Sequence, residues 1–359
     1  MNDASGRHPD KRSSAASWRQ DDLVAPILRR WRQLTGDKNT RDDQRRTLVA
    51  CSGGADSVAL AFVIAQIPGS CVIAHIQHDI RHPEHTHADR ELVESLAQRC
   101  GVPFTHAPAR VTDLPGNLEA NAREARYQAL QQLAAEQNCP FIATAHHADD
   151  QLETLMINLM RGSGLRAMGG MDPATSLGSS VLIRPMLEIT RDEILAFLSR
   201  ASLKWNEDET NQDTSYTRNQ IRHQLLPVMR QIDTDIAQHA AQWAADFSQA
   251  QQLVDTQVTQ ILARASRKNQ RWTCDRSVLS DQPSFLLGFI PGRFCIDELN
   301  RIGLDKITRR AIEAWSRAVK SDSTDPTTHR IGPIVAHVDA HSVCIEPAID
   351  NDQSTGAHV

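Results

Sequence analysis

The sequence predicts an α/β protein, in which a doubly wound parallel sheet is followed by a mainly helical C-terminal module. The first observation is that short apolar runs rich in strand formers alternate with helical segments from residue 47 to about residue 202. The second is that residues 232–267, beyond Pro227, are rich in Ala, Gln and Leu and carry no strand signal. We therefore expect a disordered leader over 1–20, an α/β domain over 21–227 and a helical module over 228–359, with two weak strands at 331–337 and 342–346.

The elements of the α/β domain follow from periodicity and capping signals. Apolar residues at helical spacing predict an amphipathic helix over 23–34, and Thr190 with Glu193 forms a capping box that starts a helix ending near residue 202. The remaining strands are predicted from residue 47 and over 71–76, 102–106, 140–145 and 181–185, and the remaining helices over 58–67, 86–100, 118–137 and 149–160. In such a sheet the ligand lies at the carboxyl ends of the strands.

Composition excludes several classes of protein. No run of apolar residues approaches the length of a membrane span, and the first 17 residues lack the apolar core of a secretory signal, which predicts a cytoplasmic protein without a membrane partner. The seven cysteines contain no C-x-x-C pair and are predicted to be reduced thiols. A net charge of −5 argues against binding nucleic acid over the whole surface, although clusters of arginine leave a local RNA-binding patch open.

The main motif is the phosphate loop, defined here as Ser52-Gly53-Gly54-Ala55-Asp56-Ser57 between a predicted strand and a predicted helix. The glycines permit a tight turn and close approach of a ligand, and the loop amides and the helix N-terminus favour an anion. The two serine hydroxyls can add bonds to phosphate oxygens, while Asp56 can hold Mg²⁺ or orient the loop. Together these groups predict a nucleotide triphosphate ligand. The spacing is neither that of a Walker A loop nor that of a Rossmann fingerprint, and an ordinary glycine-containing turn between strand and helix is the less favoured alternative.

A second group of polar residues follows the predicted strand at 140–145. Asp150 and Glu153 are three residues apart, so they share one helical face at the edge of the sheet where the phosphate loop also lies. Two such carboxylates can hold Mg²⁺ or bind an ammonium group. Asp149 as a helix cap, with Glu153 in solvent, is the structural alternative.

Further polar segments have weaker signals. The glycine-rich stretch 161–171 carries Arg161 and Arg166 and can close over a charged substrate or act as a linker. Among the histidines at 75–87, His75 and His78 are expected to face the nucleotide, and a zinc site is the less favoured alternative. Residues 204–211 and 216–227 read equally as surface segments or as groups that recognise a phosphate or a base.

In this order the segments resemble the tRNA(Ile)-lysidine synthases, members of the N-type ATP pyrophosphatase or PP-loop superfamily. The resemblance extends from residue 47 to residue 227 and rests on the phosphate loop and on segments 75–81, 124–127, 144–153, 161–171 and 218–227. Gln77 and Asp79 differ from the usual family pattern, which has Asn and Gly there. The resemblance implies a PP-loop ATPase-like fold and an ATP- and Mg²⁺-dependent attachment of free L-lysine to the wobble cytidine of tRNA(Ile) with a CAU anticodon.

The resemblance also implies site residues in this chain. The catalytic group comprises Asp56, Asp150, Glu153 and Arg218, with Asp56 as the metal ligand and Asp150 and Glu153 as the lysine-binding pair. The nucleotide-binding group comprises Ser52, Gly53, Gly54, Ala55, Asp56, Ser57, His75, His78, Arg126 and Gly162. The tRNA-binding group comprises Arg161, Arg166 and Arg222, and the C-terminal module is expected to dock the tRNA body. A tRNA thiolase of the same superfamily and a non-catalytic, nucleotide-dependent tRNA-binding protein are the alternatives, and a homodimer is left open.

Overall fold

The computed structural model describes residues 18–78, 83–109, 111, 118–162, 164–207, 217–299 and 307–348; for residues 78, 83–85, 118 and 119 it describes the backbone. The chain divides into two units, residues 1–248 and 249–359. This division falls inside a long helix, beyond the boundary at Pro227 that composition suggested. The reason is that the first half of that helix packs within the first unit through Ala237, Ala240 and Ala244.

The first unit contains a six-stranded sheet whose neighbouring strands are parallel except at one edge. The strands are β1 Thr47–Ala50, β2 Cys71–His78, β3 Phe104–Ala109, β4 Phe141–Ala143, β5 Ala174–Leu177 and β6 Ser180–Ile183, in the order β3-β2-β1-β4-β6-β5. β5 pairs antiparallel with β6. The predicted parallel α/β sheet is confirmed. The strand over 174–177 was not predicted, because it is a short and largely exposed edge strand without apolar alternation.

Seven α-helices precede the last segment of this unit within the residues that the structure describes. They are α1 Val24–Leu34, α2 Ala55–Ala65, α3 Pro83–Cys100, α4 Leu118–Glu136, α5 Ala148–Met160, α6 Leu165–Met168 and α7 Arg191–Arg200. β1 is buried at every residue, and α2 is buried at all but one position, so this strand and helix form the centre of the core. Between them lies the phosphate loop, which is thereby built on a fully buried strand and a closely packed helix.

The sheet order places a topological switch point beside the phosphate loop. The chain runs from β1 outward to β2 and β3, and then returns to place β4 on the other side of β1. Ligands in open α/β sheets bind at such a point, outside the carboxyl ends of the strands. The loops that follow β1 and β4 therefore form the expected site.

The last part of the first unit is helical. It comprises α8 Thr217–Gln220, a π-helical segment Ile221–Leu225, α9 Leu226–Ile232 and the start of α10 Ile236–Leu262. Ile221 and Leu226 pack with Leu152 and Leu155 of α5 in a small apolar cluster. This packing fixes the segment 217–232 against α5.

The last three residues of the predicted leader over 1–20 belong to the folded chain. Trp18 makes edge-on ring contacts with Phe62 and Phe197, and Arg19 donates hydrogen bonds to the carbonyl of Gln66. Trp18 buries apolar surface in the core, so the folded chain includes residues 18–20. Residues 1–17 lie outside the described part of the chain.

The second unit combines helices with a five-stranded antiparallel sheet. The strands β7 Ser266–Lys268, β8 Arg271–Asp275, β9 Thr327–Ile331, β10 Ile334–Val338 and β11 Ser342–Pro347 are ordered β7-β8-β11-β10-β9. The helices are α11 Arg276–Ser280, α12 Ser284–Leu287, α13 Ile290–Leu299 and α14 Arg309–Lys320. The helical content agrees with the predicted helical module. The expected strand at 331–337 corresponds mainly to β10, which starts after a turn at Gly332, and the expected strand at 342–346 corresponds to β11. β7, β8 and β9 were not predicted because they are short and mostly polar.

Among the described residues, none of the helices combines the length and the apolar character that crossing a membrane requires.

Candidate active site

The phosphate loop turns sharply between β1 and α2. Gly53 has φ +96°, a conformation open to glycine, and Gly54 is the N-cap of α2. A Cβ atom on Gly53 would lie 3.3 Å from a carboxylate oxygen of Asp89. Ala55 is buried in the first turn of the helix, and Ser52 is exposed. The loop therefore presents its backbone and Ser52 at the carboxyl end of β1.

The hydroxyl of Ser57 holds the loop in shape. Its Oγ accepts from the backbone N–H of Ser52 at 3.1 Å, donates to the carbonyl of Gly54 at 2.9 Å and lies 3.1 Å from Ser52 Oγ. Ser57 is buried. Of the two serines predicted to contact phosphate, Ser52 is thus the accessible one, whereas Ser57 orders the loop.

Two residues outside the phosphate loop hold it in place: Asn206, from the polar segment 204–211, and Asp89, which the sequence did not indicate. Asn206 donates its backbone N–H to the carbonyl of Gly53 at 3.0 Å and its side-chain amide to Asp89 at 2.7 Å. Asp89 lies on α3 and is buried. Because these residues come from distant parts of the chain, no local pattern could have shown that they meet at the loop.

His75 supports the carboxyl end of β1 and is not exposed at the surface of the phosphate loop. It is buried on β2, and its Nδ1 donates to the carbonyl of Cys51 at 2.9 Å. His78 ends β2, and its side chain lies outside the described part of the structure, as do residues 79–82. His75 thus orients the residue that precedes the phosphate loop.

The segment after β4 builds the second half of the site. α5 begins at Ala148 with His147 as its N-cap, and the Asp150 carboxylate accepts the backbone N–H of His147 at 3.1 Å. The prediction that Asp149 caps this helix is wrong, because the helix starts one residue earlier and Asp150 occupies the third position. Asp149 is free for other contacts, and the prediction that Asp150 and Glu153 share one helical face is confirmed.

His147 lies among three carboxylates. Its Nε2 is 3.6 Å from Asp56 and 3.6 Å from Asp150, and its Nδ1 is 3.3 Å from Asp149. Burial alone would lower the pKa of His147, but the negative charges of Asp150, Asp149 and Asp56 raise it to about 10. At neutral pH the imidazolium therefore joins the phosphate-loop carboxylate to the carboxylates of α5.

The neighbouring histidine has the opposite protonation. Burial lowers the pKa of His146 to about 3, and the positive charges of Arg184, Arg126 and Arg218 act in the same direction. Arg126, predicted to bind nucleotide, is on α4, and burial lowers the pKa of its guanidinium as well. The two adjacent histidines thus carry one positive charge at neutral pH.

Glu153 and Asp150 are paired with two arginines of the segment 217–232. Glu153 accepts from Arg218 Nε at 2.7 Å and from Arg222 Nε at 2.5 Å, and Arg222 also reaches Asp150 at 3.2 Å. Glu153 is 1% exposed, so the alternative in which it points to solvent is wrong. Burial lowers the pKa of the Arg222 guanidinium, and bonding to Glu153 together with the charge of Asp150 outweighs this and raises it overall.

The π-helical segment explains how these arginines reach α5. Arg218 is on α8, and Arg222 is in the wider turn of residues 221–225. π-turns within helices are frequent at functional sites because they redirect side chains. Sequence patterns do not distinguish this turn from α-helix.

Asp149 and Asp56 have arginine partners that the sequence did not indicate. Asp149 accepts the backbone N–H of Arg191 at 2.8 Å and pairs with Arg230. The Arg191 side chain donates from Nη1 to both oxygens of Asp56, at 3.1 and 2.9 Å. Burial raises the pKa of Asp149, but His147, the Arg191 amide and Arg230 together hold it well below its usual range.

The glycine-rich stretch lies at the far end of α5. Gln151 bonds both backbone groups of Met171, and Asn158 donates to the carbonyl of Ala167, which holds the stretch against the helix. Arg161, Gly162 and Arg166 are exposed there. Gly162 is twelve residues beyond Asp150, about 18 Å along helix geometry. These three residues therefore lie apart from the cluster that His147 and the ion pairs build from Asp56, Asp150, Glu153, Arg218 and Arg222.

A glycine-containing anion loop at the switch point of a parallel sheet, with carboxylates at the next strand end, defines an α/β protein of the phosphate-binding class. Residues 25–229 match the family model described as the PP-loop domain, and the chain belongs to this family.

Individual relatives agree with this assignment. The chain is 39% identical over 183 residues to the tRNA(Ile)-lysidine synthase of Solibacter usitatus, and the aligned region covers 51% of this chain and 40% of that protein. It is 40% identical over 217 residues to the tRNA(Ile)-lysidine synthase of a Nostoc species, covering 57% and 61%. The chain thus spans about half the length of these curated relatives.

A solved structure shows the same fold. The U34-tRNA thiolase NcsA from Methanococcus maripaludis, with its [4Fe-4S] cluster, superposes with a TM-score of 0.52 at 16% sequence identity. The match covers 64% of this chain and 80% of the thiolase chain. At this identity the likeness concerns the fold alone.

Proposed function

We propose that this protein is an ATP-dependent ligase that attaches lysine to C2 of the wobble cytidine, position 34, of a CAU-anticodon tRNA(Ile), giving lysidine, AMP and pyrophosphate. The observation that carries the proposal is the bridge made by His147, which lies 3.6 Å from both Asp56 and Asp150. A triphosphate site and a carboxylate pair suited to an amine are thereby adjacent. The names of the relatives support lysine as that amine.

In the first step the C2 oxygen of cytidine attacks the α-phosphorus of ATP. The oxygen–phosphorus bond forms, and the bond to the β-phosphate bridging oxygen breaks as pyrophosphate leaves. The loop amides, the N-terminus of α2 and exposed Ser52 would stabilise the charge on the leaving group. His147 and Arg191 add positive charge beside Asp56.

Magnesium fits this site as a companion of the triphosphate. Mg²⁺ is commonly held by one or two carboxylates together with phosphate oxygens and water. Asp56, with a partly exposed carboxylate at the end of the loop, provides one such ligand. In the described part of the chain, no group of three or more His, Cys, Asp or Glu side chains is arranged to hold a metal by itself. When bound, Mg²⁺ would neutralise charge developing on the pyrophosphate.

In the second step the ε-amine of lysine attacks C2, and AMP leaves with the former C2 oxygen. The amine must first lose a proton, and Asp150 and Glu153 are the candidate groups to bind the ammonium and accept that proton. Both carboxylates already bond Arg218 and Arg222. Lysine would therefore exchange with an arginine that turns toward the phosphate of the adenylated cytidine or of the tRNA backbone.

The cysteines argue against the tRNA thiolase alternative. A cysteine that carries sulfur or holds an iron–sulfur cluster does so as a thiolate. Burial raises the pKa of Cys51 and of Cys100 to about 11 and that of Cys71 to about 12. These thiols near the first sheet are thus protonated at neutral pH.

The test is incubation of the protein with a CAU-anticodon transcript, ATP, Mg²⁺ and labelled lysine, with a transcript that carries uridine at position 34 as control. We expect label in the RNA that requires cytidine and ATP, with one AMP per lysine attached. AMP formed with a sulfur donor and without lysine would identify the thiolase. RNA binding without any AMP would identify the non-catalytic binder.

If the ligase is confirmed, the second unit is our candidate for docking the tRNA body, and cytoplasmic location follows from the substrate. Removing the second unit, residues 249–359, should raise the KM for tRNA more than the KM for ATP. The homodimer stays a prediction.

A further inference from the structure

We propose that Arg191 is a further nucleotide-binding residue, which contacts the β- and γ-phosphates of ATP and the pyrophosphate that leaves. This inference rests on the proposed function. No sequence motif indicated Arg191, which is 135 positions from Asp56 in the chain. Three features support this role: the anchored backbone of Arg191, the unused donors of its guanidinium and its contact with Asp56 in the phosphate loop.

The backbone of Arg191 is fixed at the site. Arg191 is the first residue of α7, and its N–H donates to Asp149 at 2.8 Å. Asp149 is buried and is itself held by His147 at 3.3 Å and by Arg230. The side chain of Arg191 therefore starts from a constrained position beside the carboxyl end of the sheet.

The guanidinium of Arg191 retains donors for a second partner. Nη1 bonds both oxygens of Asp56, at 3.1 and 2.9 Å. Within the described part of the chain, Nε and Nη2 of Arg191 make no hydrogen bond, and 45% of the side chain is exposed. The planar fork of arginine matches phosphate oxygens, so these donors suit a phosphate.

The position of Asp56 directs the guanidinium to the terminal phosphates. Asp56 is in the first turn of α2, directly beyond the glycines of the phosphate loop. A group in contact with Asp56 therefore lies beside any anion that the loop amides hold. A triphosphate would bring oxygens to Arg191, and the associated metal would take over the carboxylate of Asp56.

Arg200 provides a matched control at the other end of the same helix. Its Nη2 bonds both oxygens of Asp21, at 3.3 and 3.1 Å, and its side chain is 49% exposed. Nine residues of helix separate it from Arg191, about 14 Å. Arg200→Ala thus removes an ion pair of the same type without approaching the loop.

The experiment measures binding of Mg²⁺·ATP, inorganic pyrophosphate and AMP to the full chain by equilibrium dialysis, for the unchanged protein, Arg191→Ala, Arg191→Lys and Arg200→Ala. We expect Arg191→Ala to weaken the binding of ATP and of pyrophosphate roughly 10- to 100-fold, which corresponds to the loss of one charge-assisted hydrogen bond. The binding of AMP should weaken less than about 3-fold. Arg191→Lys should restore part of the affinity because it keeps the charge. Arg200→Ala should bind all three as the unchanged protein does.

Two results would overturn the inference. Unchanged ATP affinity in Arg191→Ala would show no phosphate contact, and equal losses for ATP and AMP would show that Arg191 acts through Asp56 on the loop as a whole. Absence of ATP binding by the unchanged protein would instead overturn the proposed function, and this inference with it. If circular dichroism shows that Arg191→Ala does not fold, the ratio of ATP affinity to AMP affinity in Arg191→Lys tests the inference.

Discussion

The Glu153 carboxylate offers the sharpest test of the site, since replacing it by Gln keeps its shape and removes its charge. Glu153 is 1% exposed and accepts from both Arg218 and Arg222. Removing one partner of a buried ion pair costs about 3–5 kcal/mol. The two guanidinium side chains are 31% and 33% exposed, so water can partly solvate them after the change. We therefore expect the lower end, about 3 kcal/mol of unfolding free energy.

That loss corresponds to a fall in melting temperature of roughly 6–12 °C for a unit of this size. The measurement is urea unfolding followed by circular dichroism, with Glu188→Gln as the control. Glu188 is 69% exposed and lies 3.9 Å from Arg30, and its replacement should cost less than about 0.5 kcal/mol. Equal effects of the two changes would refute the buried ion cluster.

A double variant separates pairing from general damage. Arg222→Gln removes the cation that bonds Glu153 at 2.5 Å. If the two residues stabilise one another, Glu153→Gln combined with Arg222→Gln should lose less stability than the sum of the single changes, by about 1 kcal/mol or more. Additive losses would mean that the pair contributes nothing jointly.

Three further predictions concern neighbouring residues. Asp150→Asn should raise the KM for lysine at least about tenfold while leaving ATP affinity within about threefold, in kinetic and dialysis measurements; equal loss of both would assign Asp150 to the nucleotide. The pKa of His147 is raised from 6.5 to about 10, so the charged imidazolium stabilises the fold fully below pH 6.5 and this stabilisation is lost as the pH rises to 10. The free energy of unfolding in urea should therefore fall by about 1.4 kcal/mol per pH unit between these values, and His147→Gln should abolish this dependence. Gly53→Ala should cost about 1–3 kcal/mol and weaken ATP binding, because φ is +96° and Asp89 lies 3.3 Å from the new Cβ, whereas Gly69→Ala, with φ +74° and no neighbour within 4 Å, should leave ATP binding unchanged.

The sheet and the phosphate loop could be predicted because their signals are local. Strand-forming residues enter the loop, two glycines allow the turn, and an apolar helix follows, all within twenty residues. The alternation of strands and helices then fixes parallel pairing. The edge strand β5 and the strands β7 and β8 escaped prediction because short, exposed strands are stabilised by their neighbours and not by their own residues.

The charges that surround the site could be predicted only in part. Asp150 and Glu153 were accessible to sequence reasoning because three-residue spacing places them on one helical face. The pairing of Glu153 with Arg218 and Arg222 joins residues 65 and 69 positions apart, and its geometry depends on the π-turn at 221–225. The contacts of His147 with three carboxylates were not predicted, because the motif was interpreted through its aspartates. The position of His147 directly before α5 nevertheless makes it the N-cap of that helix.

The two ends of the site share one feature, a carboxylate that is paired with an arginine. At the phosphate loop, Arg191 is paired with Asp56, and at the helix face, Arg222 is paired with Glu153 and Asp150. Each carboxylate is thus matched by a cation that is itself suited to phosphate. Under the proposed function, a metal ion or an ammonium group would replace the arginine on the carboxylate as a phosphate reaches the arginine, so that each charge at both ends would keep a partner. His147, between them, is within 3.6 Å of Asp56 and of Asp150, and under the proposed function it would hold both carboxylates during this exchange.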